Sequence, residues 1–198
     1  LSNSSSITLD QVAIINNLGM GIYNDGIYES TMTITNSTIS QNQDGGLYSD
    51  IGAVTINNST IAGNGSTLAA TTGGGIYNDR TTITISNSII ANNSAATGPD
   101  CYNQSPYGGP IISAGNNILG NTTGCTITAT SGDKFNVNPQ LLPLLPLGYY
   151  HLVTASPAIG QGNPATCTNQ DQRGVERLSD SKCDIGAFES GAQPVKYG

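Results

Sequence analysis

The sequence predicts an all-β protein, a single-stranded parallel β-helix (solenoid) of about five coils followed by an irregular C-terminal cap. A short strand-like phrase recurs as LDQVAI (9–14), ITNSTI (34–39), INNSTI (56–61), ISNSII (85–90) and, more weakly, GNNIL (115–119). The last isoleucine of each phrase falls at 14, 39, 61, 90 and 118, so the spacings are 25, 22, 29 and 28 residues. Short β-rich units repeated at such periods are typical of solenoids.

Within one unit, TITISNSII alternates so that Ile83 and Ile85 point to one face of a strand and the threonines to the other. The alternation breaks at the same place in each unit, at Asn36, Asn58 and Asn87. Because asparagine tolerates unusual backbone angles, this position predicts a corner between two strands.

Stacked coils would place equivalent side chains in columns. We expect the amides of Asn36, Asn58 and Asn87 to form a ladder in which each amide bonds the next one. The triplets GIY, GLY and GIY predict a second column, made of Tyr23, Tyr48 and Tyr77.

Composition and charge exclude several classes of protein. The chain has 25 glycines, two phenylalanines, no tryptophan and a net charge of −7. No basic patch is present, so nucleic acid is not an expected partner. No apolar stretch is long enough for a transmembrane segment, and the sequence begins LSNSSS without a charged and then apolar leader.

The four cysteines are Cys101, Cys125, Cys167 and Cys183, and none of them forms a C-x-x-C pair. This spacing argues against a zinc site. Three disulfide pairings are open, and the two local ones would each contribute roughly 3 kcal/mol. Two disulfides indicate a secreted protein.

The last third of the chain departs from the repeat. Residues 138–167 are interrupted by prolines and contain no further unit. We therefore predict coils over 1–130, a cap over 131–189 that folds across the C-terminal end of the solenoid, and a tail over 190–198.

This region also carries a family resemblance. A Gly-Pro-Asp-Cys loop (98–101), a Gly-Cys-Thr (124–126) and SPAIGQGNPATC…DQRG…CDIGAFE (156–189) resemble right-handed β-helix proteins with a C-terminal choice-of-anchor Q domain. The resemblance implies a right-handed helix, both local disulfides that pin the cap, and a secreted or cell-surface bacterial protein. It implies no particular reaction.

Candidate catalytic and metal-binding groups are few. Asp25, Asp50 and Asp79 each follow the column tyrosine by two residues and would form a carboxylate column with a spacing of roughly 4.8 Å. Such a column could bind Ca²⁺, although turn residues that cap their own backbone explain it better. Arg80 is expected in an ion pair or in solvent rather than as a lyase base.

The remaining polar groups favour structural roles. His151 lies among apolar neighbours and has no partner for a triad. In the cap, Asp171, Arg173, Asp184 and Glu189 cluster in the sequence, and an ion pair of Arg173 with Asp184 or Glu189 is expected to hold the cap. Outward threonines could form a flat hydroxyl face of the kind found in ice-binding solenoids, which we rank last.

Asparagine glycosylation sequons are numerous. We expect those at Asn3, Asn64, Asn92 and Asn103 to be accessible, and those at the predicted corner to be too crowded for a glycan.

Together these features predict a non-catalytic structural or adhesive solenoid at the cell surface, without a cofactor. The first coil enters a strand at once, which predicts an exposed edge and head-to-tail assembly of copies into a fibre. A neighbour's tail (190–198) could add a strand at the same edge. Surface glycans are the other expected partner. The alternative is a carbohydrate-active or polysaccharide-binding β-helix of the lyase or hydrolase kind.

Overall fold

The computed structural model describes residues 5–25, 30–65, 72–104, 106–177 and 183–191. It contains short strands separated by corners and loops. The strands are β1 (Ser6–Asp10), β2 (Ala13–Ile15), β3 (Met20–Asn24), β4 (Thr31–Thr35), β5 (Thr38–Ser40), β6 (Gly45–Ser49), β7 (Ala53–Asn57), β8 (Thr60–Ala62), β9 (Ile76–Asn78), β10 (Thr82–Ser86), β11 (Ile89–Ala91), β12 (Cys101–Asn103), β13 (Ile111–Ser113), β14 (Ile118–Leu119) and β15 (Lys134–Phe135).

The strands form three parallel sheets. Sheet A has the order β1-β4-β7-β10-β13, sheet B has β15-β14-β11-β8-β5-β2, and sheet C has β12-β9-β6-β3. Each of the first four coils contributes one strand to each sheet, and the fifth contributes only β13 and β14. The predicted parallel β-helix is confirmed, with four complete coils rather than five.

Isoleucine and leucine side chains fill the interior. The alternation of each strand points every second side chain inward, and the inward residues of the second to fourth coils are almost fully buried. The fully buried interior side chains are Ile34, Ile39, Leu47, Ile56, Ile61, Ile76, Ile83, Ile85 and Ile90. Burial of each contributes roughly 1.5–3 kcal/mol before the entropy of ordering is subtracted.

The corner between sheets A and B keeps the same length in the first four coils. It consists of two residues, such as Asn36-Ser37 between β4 and β5. Asn36, Asn58 and Asn87 have φ values of 47°, 44° and 47° there, in the left-handed region that asparagine tolerates. The variable coil length falls in the other connections, so the strands of sheet A stay in register.

The C-terminal segment lies along the side of the solenoid rather than across its end. We call residues 137–177 and 183–191 the strap. Its apolar residues Ala158 and Ile185 pack on Ile89 and Ile118 of sheet B. The strap reaches back to the first coil, where Gln11 Nε2 donates to the carbonyl of Asp171 at 3.1 Å. The predicted position of the cap across the end is therefore wrong, because the apolar residues of the strap pack on outward apolar side chains of sheet B.

A different segment covers part of the C-terminal end. In this end loop (residues 120–133), the Gly124 carbonyl accepts a hydrogen bond from the amide of Asn103 at the edge of sheet C. The Cys101–Cys125 disulfide fixes the loop to β12. The solenoid extends past the boundary predicted at residue 130, because β15 still pairs with β14.

Candidate functional site

The corner asparagines dock the strap instead of bonding one another. Asn87 Oδ1 accepts the Asn163 amide at 2.8 Å, and its Nδ2 donates to Thr166 Oγ1 at 3.0 Å. Asn58 Oδ1 accepts the Thr168 amide at 3.1 Å. The predicted ladder of Asn36, Asn58 and Asn87 amides is therefore wrong in its partners. These side chains point outward from the corner, where the strap supplies hydrogen bonds.

Asn36 completes this row. Its Oδ1 accepts hydrogen bonds from Thr168 Oγ1 at 2.6 Å and from Arg177 Nη2 at 3.3 Å. The strap thus runs antiparallel to the coil order, from Asn87 of the fourth coil to Asn36 of the second. Each coil is tied to the strap at the same corner position.

An amide ladder does exist, one corner further along each coil. Asn17 Nδ2 donates to Asn42 Oδ1 at 2.7 Å, Asn42 to Asn64 at 2.8 Å, and Asn64 to Asn93 at 3.0 Å. Asn93 Nδ2 then donates to Asp100 Oδ1 at 2.9 Å. Since a carboxylate only accepts, Asp100 ends the ladder. Asn64 is 1% exposed within it, so the expectation that this sequon is accessible is wrong.

A second ladder ends in the same way. The Ser37 amide donates to Ser59 Oγ, and the Ser59 amide to Ser88 Oγ, each at 3.2 Å. Asn117 Oδ1 accepts from the Ser88 amide, and the Asn117 amide donates to Asp133 Oδ1. Both ladders therefore finish on an aspartate at the C-terminal end of the solenoid.

The column tyrosines stack on the outer face of sheet C. Ring centroids of Tyr23 and Tyr48 are 4.6 Å apart, and those of Tyr48 and Tyr77 are 5.2 Å apart. Tyr102 extends the stack at 5.5 Å. The Tyr48 hydroxyl donates to Asp79 Oδ2 at 3.2 Å, and desolvation together with the Asp79 charge raises the pKa of Tyr48.

The aspartate column is not assembled as a metal site. Asp50 is held by Arg80, whose Nε and Nη2 lie 2.6 Å from Oδ1 and Oδ2, and Asp79 accepts from Tyr48. Asp25 is exposed after β3. Within the described ranges, no three carboxylate, histidine or cysteine side chains are grouped closely enough to hold a metal ion.

The ion pairs of the strap differ from the predicted ones. Arg173 pairs with Asp171 at 2.7 Å, and its contact to Glu189 is with the backbone carbonyl. Glu189 Oε2 instead pairs with Arg177 Nη1 at 3.0 Å. An arginine–carboxylate pair of Arg173 does lie in the strap, but its partner is Asp171 rather than the predicted Asp184 or Glu189.

Asp184 is tied to backbone amides. Its carboxylate accepts from the amides of Gly160 at 2.7 Å and Ser190 at 2.6 Å. It thereby joins two separate parts of the strap without an arginine.

The Arg177–Glu189 pair is deeply buried. Arg177 and Glu189 are 6% and 1% exposed, and among the described residues Glu189 Oε1 has no hydrogen-bond partner. Burial raises the pKa of Glu189 and lowers the pKa of Arg177, because removing either charge from water is unfavourable. Burial likewise raises the pKa of Asp100, and hydrogen bonds from Asn93 oppose the shift.

The remaining candidate groups are packed. His151 stacks on Phe188 with centroids 4.4 Å apart and on Tyr149 at 5.6 Å. Arg173 lies over the Phe188 ring at 4.0 Å, a cation–π contact. This cluster fixes one end of the strap.

The second disulfide, Cys167–Cys183, lies within the strap beside the Asn58 corner. Of the other sequons, Asn92 is exposed, whereas Asn103 is half-buried and its Nδ2 donates to the Gly109 carbonyl at 2.7 Å. Asn3 and residues 192–198 of the tail lie outside the described residues.

A concave site lies between the strap and the A–B corner. A cleft of about 880 Å³ is lined by Asp10, Gln11, Thr35 and Asn36 of the first two coils and by strap residues such as Glu176. Beside it, outward hydroxyls of sheet A stand in register. They form the column Thr8, Thr33, Thr55 and Thr84.

The sequence analysis identified neither the ladder asparagines nor Arg177 as structural residues. The ladder asparagines Asn42, Asn64 and Asn93 each lie six residues after a corner asparagine, so a second periodic amide was visible. Arg177 has no such signal, because its partners come from the second coil and from the far end of the strap.

Within the described part of the chain, no helix has the length and apolarity that crossing a bilayer requires. Comparison with curated proteins and with solved structures found no match. A family model described as a right-handed beta helix region matches residues 1–139, which is more than half of the chain. Together with the stacked coils, this match shows that the chain belongs to the right-handed β-helix family.

Proposed function

We propose that this chain is a non-catalytic extracellular solenoid that acts as a structural or adhesive surface protein. The observation that carries the proposal is that the buried carboxylates bond other groups of the protein. Asp100 ends an amide ladder, Asp50 holds Arg80, and Asp171, Asp184 and Glu189 hold the strap. A lyase or hydrolase needs such groups to face the substrate, whereas here they face the protein.

An extracellular location is supported by the two disulfides, because such bonds persist in oxidising compartments. An adhesive role is supported by the outer faces, which repeat the same side chain from coil to coil. Several weak contacts that engage the same partner at once bind it more tightly than one contact alone.

The alternative is a carbohydrate-active or polysaccharide-binding β-helix. The cleft favours it, because Asp10 and Glu176 are exposed carboxylates that line one cavity. An enzyme would use them together on a glycosidic bond.

Head-to-tail fibre assembly also stays a proposal. It would place the edges of β1, β2 and β3 of one molecule against the C-terminal end of another. The end loop already bonds the edge of β12, so a fibre would require this loop to move.

The test is to incubate the purified protein with insoluble and soluble polysaccharides and to measure retention and released products together. We expect the protein to be retained by at least one polysaccharide. No new reducing ends or unsaturated products should appear. Products that disappear in a D10N/E176Q double variant would establish the enzymatic alternative instead. Negative-stain electron microscopy of the same sample tests for fibres.

A further inference from the structure

Four tyrosines stand in register on the outer face of sheet C, on successive parallel strands. We call Tyr23, Tyr48, Tyr77 and Tyr102 the tyrosine stack. Their ring centroids are 4.6, 5.2 and 5.5 Å apart in that order, within the range of about 4.5–7 Å at which aromatic pairs attract one another. The rings lie outside the buried interior, so the packing of the core does not account for them.

The Tyr48 hydroxyl is placed to give up its proton. It donates to Asp79 Oδ2 at 3.2 Å, and the Tyr77 hydroxyl donates to Gln104 Oε1. Desolvation and the charges of Asp79 and Asp50 raise the pKa of Tyr48, so its phenol is neutral at pH 7. A neutral phenol loses an electron most easily when a base accepts its proton in the same step, and the Asp79 carboxylate is positioned as that base.

Tyr23 exposes the stack to other molecules. It stands at the first-coil end and is 64% exposed, whereas Tyr48 and Tyr77 are half-buried. A radical formed on Tyr48 moves to Tyr23 when Tyr23 gives it an electron. The proton then returns from Asp79 to Tyr48, and Tyr23 releases its own proton to water. The ring that a second molecule can reach thereby becomes the reactive one.

We propose that the tyrosine stack is an oxidative cross-linking site, at which Tyr23 of one molecule joins Tyr23 of a second copy through a dityrosine bond. The oxidant is hydrogen peroxide, used by a haem peroxidase. One peroxide takes an electron and a proton from each of two tyrosines and becomes two waters. The two tyrosyl radicals then form one carbon–carbon bond between the ring carbons next to their oxygens. The hydrogens on those carbons move to the oxygens and restore both phenols.

The geometry of the stack favours coupling between molecules. Tyr23 and Tyr48 lie face to face, with an angle of 5° between their rings, and paired parallel strands hold them in this orientation. A dityrosine bond joins two rings edge to edge instead. This modification goes beyond the structural or adhesive function, because it links copies covalently without requiring the end loop to move.

The test is to treat the full chain with hydrogen peroxide and a haem peroxidase. Dityrosine fluorescence, dimers on denaturing gels and mass spectrometry of the linked peptides are measured together. The wild type is expected to form dimers linked through Tyr23, and Y23F is expected to lose most of them. Y48F keeps a stacked ring but cannot form a tyrosyl radical, so it is expected to form dimers more slowly.

Y107F is the matched control. Tyr107 is 70% exposed, and among the described residues it stacks on no other ring. This variant is expected to form dimers like the wild type. Thermal unfolding shows whether each variant is folded.

Each other outcome overturns a defined part of the proposal. Tyr28 and Tyr197 lie outside the described residues, so mass spectrometry decides which residues are joined. Dimers linked mainly through tyrosines outside the stack, or no dityrosine at all, would overturn the proposed site. Dimer formation by Y48F at the wild-type rate would show that exposure of Tyr23 is sufficient and would overturn the role of the stack. Dityrosine confined to monomers would overturn the coupling between copies.

Discussion

Asn93 donates both its backbone amide and its Nδ2 to Asp100 Oδ1, at 3.0 and 2.9 Å. This contact ends a ladder of amides that begins at Asn17 and passes through every complete coil. An aspartate can accept from the last amide but cannot pass a hydrogen bond on. The side-chain amides of this ladder therefore all donate in one direction, from the first coil to the fourth.

Substitution of Asp100, the acceptor that ends the ladder, should destabilise the solenoid. D100A leaves two buried donors of Asn93 without an acceptor, and we expect a loss of about 1–3 kcal/mol in the free energy of unfolding. Urea denaturation followed by circular dichroism measures it. D44A is the matched control, since Asp44 is half-buried and lies outside both ladders. Equal losses in the two variants would refute the role of Asp100.

The raised pKa values predict an unusual pH dependence. Burial raises the pKa of Asp100 and of Glu189 above their unfolded values, so the folded state binds protons more readily than the unfolded state. Their contribution to stability is complete below the unfolded pKa of about 4 and is lost as pH rises through the raised folded pKa. We expect D100N, which cannot titrate there, to gain less stability than the wild type on acidification from pH 7.

Denaturant titrations at several pH values between 7 and 4 measure this difference. Other carboxylates contribute in both proteins, so the comparison isolates position 100. Identical pH profiles for D100N and the wild type would show that Asp100 does not titrate in this range.

The corner asparagines should be sensitive to substitution in two separable ways. N58A loses the hydrogen bonds to the strap and places alanine at a φ of 44°, so we expect a cost of about 2–4 kcal/mol. N58G loses only the hydrogen bonds, because glycine accepts this φ, and should cost about 1–2 kcal/mol. If the N58G variant is no more stable than the N58A variant, the left-handed conformation of the corner is contradicted.

The buried ion pair gives a third mutational test. R177M leaves Glu189 buried without its cation and is expected to cost about 3–5 kcal/mol. The double variant R177M/E189L removes both charges and should recover part of that loss. Denaturation of both variants measures the coupling. A double variant less stable than R177M would show that the pair is not the origin of the cost.

The sequence predicted the solenoid well because the determinants of the coils are local and repeated. Ile34, Ile56 and Ile85 recur at equivalent strand positions, and each is buried. The corner at Asn58 was also visible, since the same break recurs in every unit. Such features need only the rule that one coil resembles the next.

The partners of the strap could not be predicted in the same way. Asn58 bonds Thr168, which is 110 residues away in the sequence, and no periodicity links the two. Glu189 lies 12 residues from Arg177 and 16 residues from Arg173 in the sequence, so both arginines were plausible partners. The choice of Arg177 depends on how the strap folds over Asn36. The sequon at Asn64 carries no sign of burial, and Asn42 and Asn93 of the same ladder are not sequons.

Incubation of the native protein with soluble and insoluble polysaccharides, followed by an assay for new reducing ends and unsaturated products, is the measurement to make first. No product is expected, because the buried carboxylates of Asp100, Asp184 and Glu189 are bonded to the protein itself. Products that the wild type releases and a D10N/E176Q double variant does not would show that the protein is an enzyme.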